Sequence, residues 1–270
     1  MNDKSASEGL GTVQRVIEIL RHVAERGETT IKDVSAALGL SPSTCHRMLD
    51  LMVKEDLVER NAAQRSYRIG PGLYRLSALI QAHYDIRELA RPLLQHIVDV
   101  CDETCVLGLY MPAEGEMIFA EKADSSQILR YQLPMNSPLS VFWGASGKSI
   151  LAFLPKADID RIYAAATAAP ASGAKRPSRQ ALDQELLAIR RRGFAASKGE
   201  KIAGAVGISA PVFRAGGQVL GSLGLTVPQQ RATAQDETRF GVLIVDQAKA
   251  LSRLLGASDQ DINRHRDDLA

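Results

Sequence analysis

Two short helical patterns joined by a tight glycine turn and followed at once by a hairpin occupy residues 30–69, and this order of elements constrains the first quarter of the chain more than any bulk property does. Thr30 opens TTIKDVSAALGL with Asp33 three positions on, a capping-box spacing, and the apolar stripe Ile31, Val34, Leu38 stops at Gly39. After the Gly39-Leu40 turn, Ser41 is placed to cap a second helix and Pro42 to occupy its first position, where a missing N–H costs nothing. Cys45, Met48, Leu49 and Met52 form the buried stripe of that helix. Upstream, TVQRVIEILRHVAERG sets Val13, Val16, Ile17, Leu20 and Val23 on one face and ends at Gly27. Downstream, LVERNAAQRSYRIG reads as two strands, 57–60 and 66–69, around a polar turn.

Any one of these elements occurs in helical domains of every kind. Their order is that of a winged helix-turn-helix, and the residues left outside the buried stripe suit a nucleic-acid groove. Ser41, Ser43, Thr44, His46 and Arg47 stand near the start of the last helix, with hydroxyls and a guanidinium of the kind that meet phosphates and base edges. Arg65 and Arg68 lie close to the tip of the wing. Bulk charge does not help: the net charge is +2, and the first 72 residues carry ten basic and ten acidic side chains. The useful sign is local, since 60–72 holds Arg60, Arg65 and Arg68 and no acid.

Gly70-Pro71-Gly72 reads as a domain boundary. LYRLSALIQAHY then carries Leu73, Leu76, Leu79 and Ile80 on one side, a face best covered by a second subunit, which also suits palindromic DNA. Asp85 caps the next helical stretch, in which Pro92 either kinks the helix or marks its true start. From Thr104 the period changes to strands: TCVLGLYM, EMIFAEKA and ILRYQL, then helical patterns at 146–153, 156–166 and 178–191. VGISAPVF and VLGSLGLTV follow, joined by a Gly-Gly turn, and a last helix covers 233–255. The fold class is α+β in two domains, the second an antiparallel sheet with helices.

Other functions fare poorly. GASGKS ends like a phosphate-binding loop, but the glycine required five positions before Gly147 is replaced by Phe142. Cys101, Cys105 and His96 fall short of a zinc set, and three sparse cysteines, with no apolar leader in MNDKSASEGLG and no membrane-length apolar run, suit a reducing cytoplasm. An architectural DNA binder would not need so large a second domain without a basic groove. No catalytic residue, cofactor or metal is expected.

With both halves in view, the chain resembles the IclR family of bacterial regulators over nearly its whole length. The likeness is carried by STCHRMLDLMVKEDLVER and YRIGPGL in the first half. In the second it is carried by LARPLLQHIVDVCDETCVLGL, PLSVFWGASGKSILAFLP, RRRGFAASKGEKIAGAVGISAPVF and GSLGLTV. The resemblance implies a winged helix-turn-helix at 10–70, a linker helix at 71–84, a GAF-like effector-binding domain at 85–256 and a flexible tail at 257–270. It implies a DNA-binding transcription regulator, repressor or activator, working as a homodimer or a dimer of dimers on double-stranded operator DNA, with no enzyme activity.

It also implies an effector pocket. Ala145 and Ser146 fall at the start of the helix whose N–H groups receive a ligand carboxylate in the family, consistent with the affinity of helix N-termini for anions. Ser197 and Glu200 fall in the loop before a strand, Gly207 and Ser209 on that strand, Gly224 and Thr226 on the next. Phe142 and Trp143 precede the helix and either line the pocket or pack in the core. The expected effector is a small organic acid. Gly207 and Gly224, where relatives that bind short acids carry side chains, favour an aromatic one.

Overall fold

The computed structural model describes residues 11–83 and 85–267, in two compact units that divide between Asp85 and Ile86. The first contains α1 (Thr12–Arg26), β1 (Glu28–Thr30), α2 (Ile31–Leu38), α3 (Pro42–Lys54), β2 (Val58–Asn61), β3 (Ser66–Ile69) and α4 (Pro71–His83). Thr30 and Asp33 complete the capping box of α2, and Gly39 ends it at φ 65°. At α3, the Ser41 hydroxyl accepts the Thr44 N–H at 3.2 Å, and Pro42 begins the helix. Cys45, Met48, Leu49 and Met52 close over Ile19, Val23, Val34, Val58 and Tyr67 in one apolar core.

β1 is an addition to the sequence reading. Three residues, 28–30, pair antiparallel with β3, opposing Thr29 to Tyr67, and make a sheet ordered β1-β3-β2. A segment so short has no period to detect. The Gly-Pro-Gly segment is also tighter than a hinge. A Cβ on Gly70 would lie 2.3 Å from the Asp56 carbonyl oxygen, and Gly72 donates its N–H to that oxygen at 2.8 Å. Arg75 pairs with the Asp56 carboxylate at 3.4 Å, so α4 is fastened to the base of the wing.

The second unit contains α5 (Ile86–Cys101), β4 (Thr104–Met111), β5 (Glu116–Ala123), β6 (Leu139–Ser140), α6 (Gly144–Leu151), α7 (Lys156–Ala165), α8 (Arg179–Arg192), β7 (Ala195–Lys198), β8 (Ala205–Phe213), β9 (Val219–Pro228), α9 (Ala234–Leu254) and α10 (Asp259–Asp267). Its sheet is antiparallel, ordered β6-β5-β4-β9-β8-β7. Alternate residues of each strand enter opposite cores. On β4, Cys105 and Leu107 face Leu94, Ile97, Ile244 and Leu251 of α5 and α9. Val106 faces the other side, where Ile150, Ile159, Leu186 and Ile189 of α6, α7 and α8 pack.

Three expectations change. ILRYQL forms no strand; residues 128–133 are a loop with Ile128 and Leu129 exposed. In place of a ladder, Arg231 donates to the Leu129 carbonyl at 3.1 Å, and just upstream of the loop Asp102 accepts the Ser126 N–H at 2.8 Å. Pro92 lies inside α5, not at its start; Ala90, Leu94, Ile97 and Val98 are buried on either side of it and hold the helix together despite the lost hydrogen bond. The tail from 257 is not loose throughout: α10 forms, and Ala257 and Ile262 are buried in the core beside α6 to α8.

Candidate functional site

The exposed face of α3 carries Ser43, His46, Arg47, Asp50, Leu51 and Lys54 around one shallow depression. Helical geometry sets Arg47, Leu51 and Lys54 in a row at i, i+4 and i+7, clear of the buried stripe. Ser41 serves as the cap, and its hydroxyl lies 3.0 Å from that of Ser43 and 2.8 Å from that of Thr44, so these three small residues form one cluster at the helix start. His46 Nδ1 lies 2.8 Å from the Asp50 carboxylate, which orients the ring along the helix. Leu51 is 55% exposed, an apolar side chain on a polar face. The sequence reading passed over Leu51 and Lys54, although their spacing from Arg47 was the available signal.

The wing arginines differ. Arg65 is exposed in the turn with φ 52°, a left-handed backbone that swings it out of the strand direction. Asn61 and Gln64 brace that turn, with the Gln64 N–H donated to Asn61 Oδ1 at 3.3 Å. Arg68 sits opposite Glu59 in the hairpin register and pairs with it at 2.8 Å. Arg68 therefore already has a carboxylate partner, whereas Arg65 stands out in the turn.

In the second unit, the N-terminus of α6 borders a cavity of about 40 Å³. Ala145, Ser146, Ser197, Glu200, Gly207 and Thr226 line it. Phe119, Ile202 and Leu225 add apolar wall, and Lys201 adds a cation. The first amides of α6 already have acceptors: Gly144 donates to Glu200 Oε2 at 2.9 Å and Ala145 to Ser197 Oγ at 2.9 Å. Glu200 is held from its other side by Lys148, whose ammonium also meets Glu185, both at 2.7 Å. Lys201 donates to the Ser140 carbonyl at 2.9 Å, and burial draws its pKa down to about 8.

Four expected lining residues stand elsewhere. Phe142 and Trp143 are core residues, edge-on to each other at 5.0 Å, with the indole N–H donated to the Thr167 carbonyl. Ser209 is fully buried behind α6, donating to the Leu223 carbonyl at 2.7 Å and lying 3.2 Å from the Ser149 hydroxyl. Gly224 is a packing glycine: a Cβ there would lie 2.8 Å from Ser146 Oγ and 3.1 Å from Ser209 Oγ. Gly207 lines the cavity but is also close-packed, though less tightly, with Ala145 Cβ and Ser197 Oγ each 3.2 Å from a Cβ. The two glycines let α6 approach the sheet, so they do not by themselves enlarge the space for a ligand. Ser197 also lies on β7, paired with Gly207, and not in a loop.

The same close approach explains GASGKS. A Cβ on Gly147 would sit 2.5 Å from the Val141 carbonyl oxygen, and the lysine of the string is 4% exposed and engaged by two carboxylates. Neither residue is arranged for a phosphate. Cys105 is fully buried and its thiol pKa is pushed well up; that of Cys101 is pushed up to about 11, so both stay protonated and unreactive. Among the described residues no group of three or more His, Cys, Asp or Glu side chains could hold a metal ion, and no helix is long and apolar enough to cross a membrane.

Comparison with known proteins agrees with both halves. The IclR helix-turn-helix domain model matches residues 12–62, and the model of the bacterial transcriptional regulator IclR C-terminal domain matches 79–253. The HTH-type transcriptional regulator XynR of Escherichia coli (strain K12) is 28% identical over 249 residues, 91% of this chain and 97% of the relative. The transcriptional repressor IclR of the same organism is 20% identical, covering 91% of this chain and 90% of its own. Among solved structures, a chain described as an IclR transcriptional regulator from Silicibacter sp. TM1040 superposes with a TM-score of 0.82 at 25% identity, over 92% of this chain and 97% of that one. An IclR homologue complexed with 4-hydroxybenzoate, from Microbacterium hydrocarbonoxydans, has a TM-score of 0.56 at 24% identity, over 92% and 100%. With its helix-turn-helix, its six-stranded sheet and both family models in order along one chain, this protein belongs to the IclR family and is a DNA-binding transcriptional regulator.

Proposed function

We propose that a small organic acid, bound in the cavity beside α6, controls the affinity of this regulator for its operator. The observation that carries the reading is the composition of that cavity. Ser146, Thr226 and Lys201 line it together with the apolar Phe119, Ile202 and Leu225, the mixture of residues that small-molecule sites present. An aromatic acid is the first candidate, supported by the Phe119 wall and by the structural neighbour that holds 4-hydroxybenzoate. Sites for such molecules enclose roughly 300–1,000 Å³. The cavity of about 40 Å³ is much smaller, so binding requires its walls to open. That requirement supplies the two arrangements whose unequal affinity for DNA a ligand needs in order to act.

On the DNA side, α3 enters the major groove with Ser41, Ser43, Thr44, His46 and Arg47 toward the duplex, and the wing brings Arg65 and Arg68 to the backbone. The regulator acts in the cytoplasm as a homodimer or dimer of dimers, through the exposed Leu76, Leu79 and Ile80 of α4. The test is direct. An operator is selected from random duplexes, its affinity is measured by fluorescence anisotropy, and pyruvate, glyoxylate, benzoate and 4-hydroxybenzoate are titrated in. One of these acids should bind by calorimetry and shift operator affinity; four acids that neither bind nor shift it would remove the acid-sensing reading.

A further inference from the structure

Lys201 lies across the first turn of α6. Its Cβ is 3.2 Å from where a side chain on Gly144 would begin, and Gly144 has φ 78°, so glycine is what allows the lysine stem to rest there. From that position Lys201 borders the cavity, with its ammonium on the Ser140 carbonyl of β6. The surrounding charges are already matched to one another. Lys148 is answered by Glu185 and Glu200, while Glu200 and Ser197 take the Gly144 and Ala145 amides. An anion entering the cavity therefore finds the leading donors of α6 engaged.

Lys201 is in a different situation. Its direct acceptor is a neutral carbonyl, and Glu200 is the charged group that acts on it through space. The hydrogen-bonded acceptor of this ammonium is neutral, burial draws its pKa down to about 8, and the carboxylate of a ligand would give it a charged acceptor instead. A charge-assisted bond to a carboxylate is also roughly twice as strong as a neutral one.

Resting on the acid-binding reading above, we propose that Lys201 is the residue that selects an anionic effector, its ammonium turning from the Ser140 carbonyl to the carboxylate of the ligand. The charge of the acid is then met by a side chain of the 199–204 segment and not by the backbone of α6. The rest of the ligand lies against Phe119, Ile202 and Leu225.

The experiment compares each acid with its neutral isostere on the full-length protein: benzoate with benzamide, and pyruvate with pyruvamide, by calorimetry. The wild type should bind the acid at least about tenfold more tightly than the amide. Lys201→Met should lose most of that preference while keeping amide affinity, and Lys201→Arg should restore it. Lys201→Gln, which keeps a donor for Ser140, carries the same comparison if the methionine variant does not fold. The proposal is overturned if the acid-to-amide ratio is unchanged in Lys201→Met, or if acid and amide affinities fall together, since the lysine would then only shape the wall. A wild type that binds both amides as well as both acids overturns the acid-binding reading itself, an outcome visible before any variant is made.

Discussion

Arg47 stands outside the stripe that buries Cys45, Met48, Leu49 and Met52, so its side chain can be removed without opening the core. Arg47→Ala should leave the melting temperature unchanged and weaken the selected operator by about 1–3 kcal/mol, the worth of one bidentate base contact. Equal affinity of the two proteins in a gel-shift titration would take Arg47 out of the interface. Gly147 shows the opposite case, where a functional-looking residue is structural. Because its Cβ position is 2.5 Å from a backbone oxygen, Gly147→Ala should destabilise the second unit by about 1–3 kcal/mol, read as a lower urea midpoint. A midpoint equal to the wild type would mean that α6 can shift away from Val141 at no cost. The spacing rule in the sequence rejected GASGKS as a phosphate loop. The reason for the glycine, a contact with a segment that only the fold brings near, was not legible there.

Single elements were legible where their signals are local. The caps at Thr30 and Ser41, the α3 stripe and the Gly216-Gly217 turn follow from neighbours in the chain, and they appear where the sequence puts them. β1 and β7 were missed because their three or four residues take their strand character from β3 and β8. Residues 128–133 form a loop and not a strand, with the Leu129 carbonyl accepting from Arg231, a partner the sequence places 102 residues away. The wing adds a distinction the sequence could not draw, since Glu59 and Arg68 become partners only through the hairpin register. Arg65→Ala should flatten the salt dependence of DNA binding by roughly one unit of slope, in specific and non-specific duplexes alike. Arg68→Ala should flatten it less, because Arg68 is already paired with the Glu59 carboxylate and so releases fewer counterions from the DNA. Anisotropy titrations from low to moderate salt give both slopes, and an Arg68 effect larger than that of Arg65 would reverse the ranking.

For the whole molecule, the division after Asp85 matters because each unit carries its own apolar core, so a mutation in one need not unfold the other. Six of the ten residues that the resemblance placed at the effector pocket line the cavity; the other four lie behind them, because pattern matching marks a segment and cannot tell its cavity side from its core side. Ser146 is on the cavity side and within the first turn of α6, where an acidic side chain is compatible with the helix dipole. Ser146→Asp should therefore fold, with its melting temperature near that of the wild type. Its carboxylate would stand where the acid must enter, close to Glu200, and repulsion between like charges should abolish the response to the effector. Operator affinity without effector should be retained, since the helix-turn-helix domain belongs to the first unit. Anisotropy with and without the acid found in the panel separates the two effects. A folded Ser146→Asp protein that answers the same acid at the same concentration as the wild type would place the effector away from α6, and with it the cavity would lose its role as the sensor.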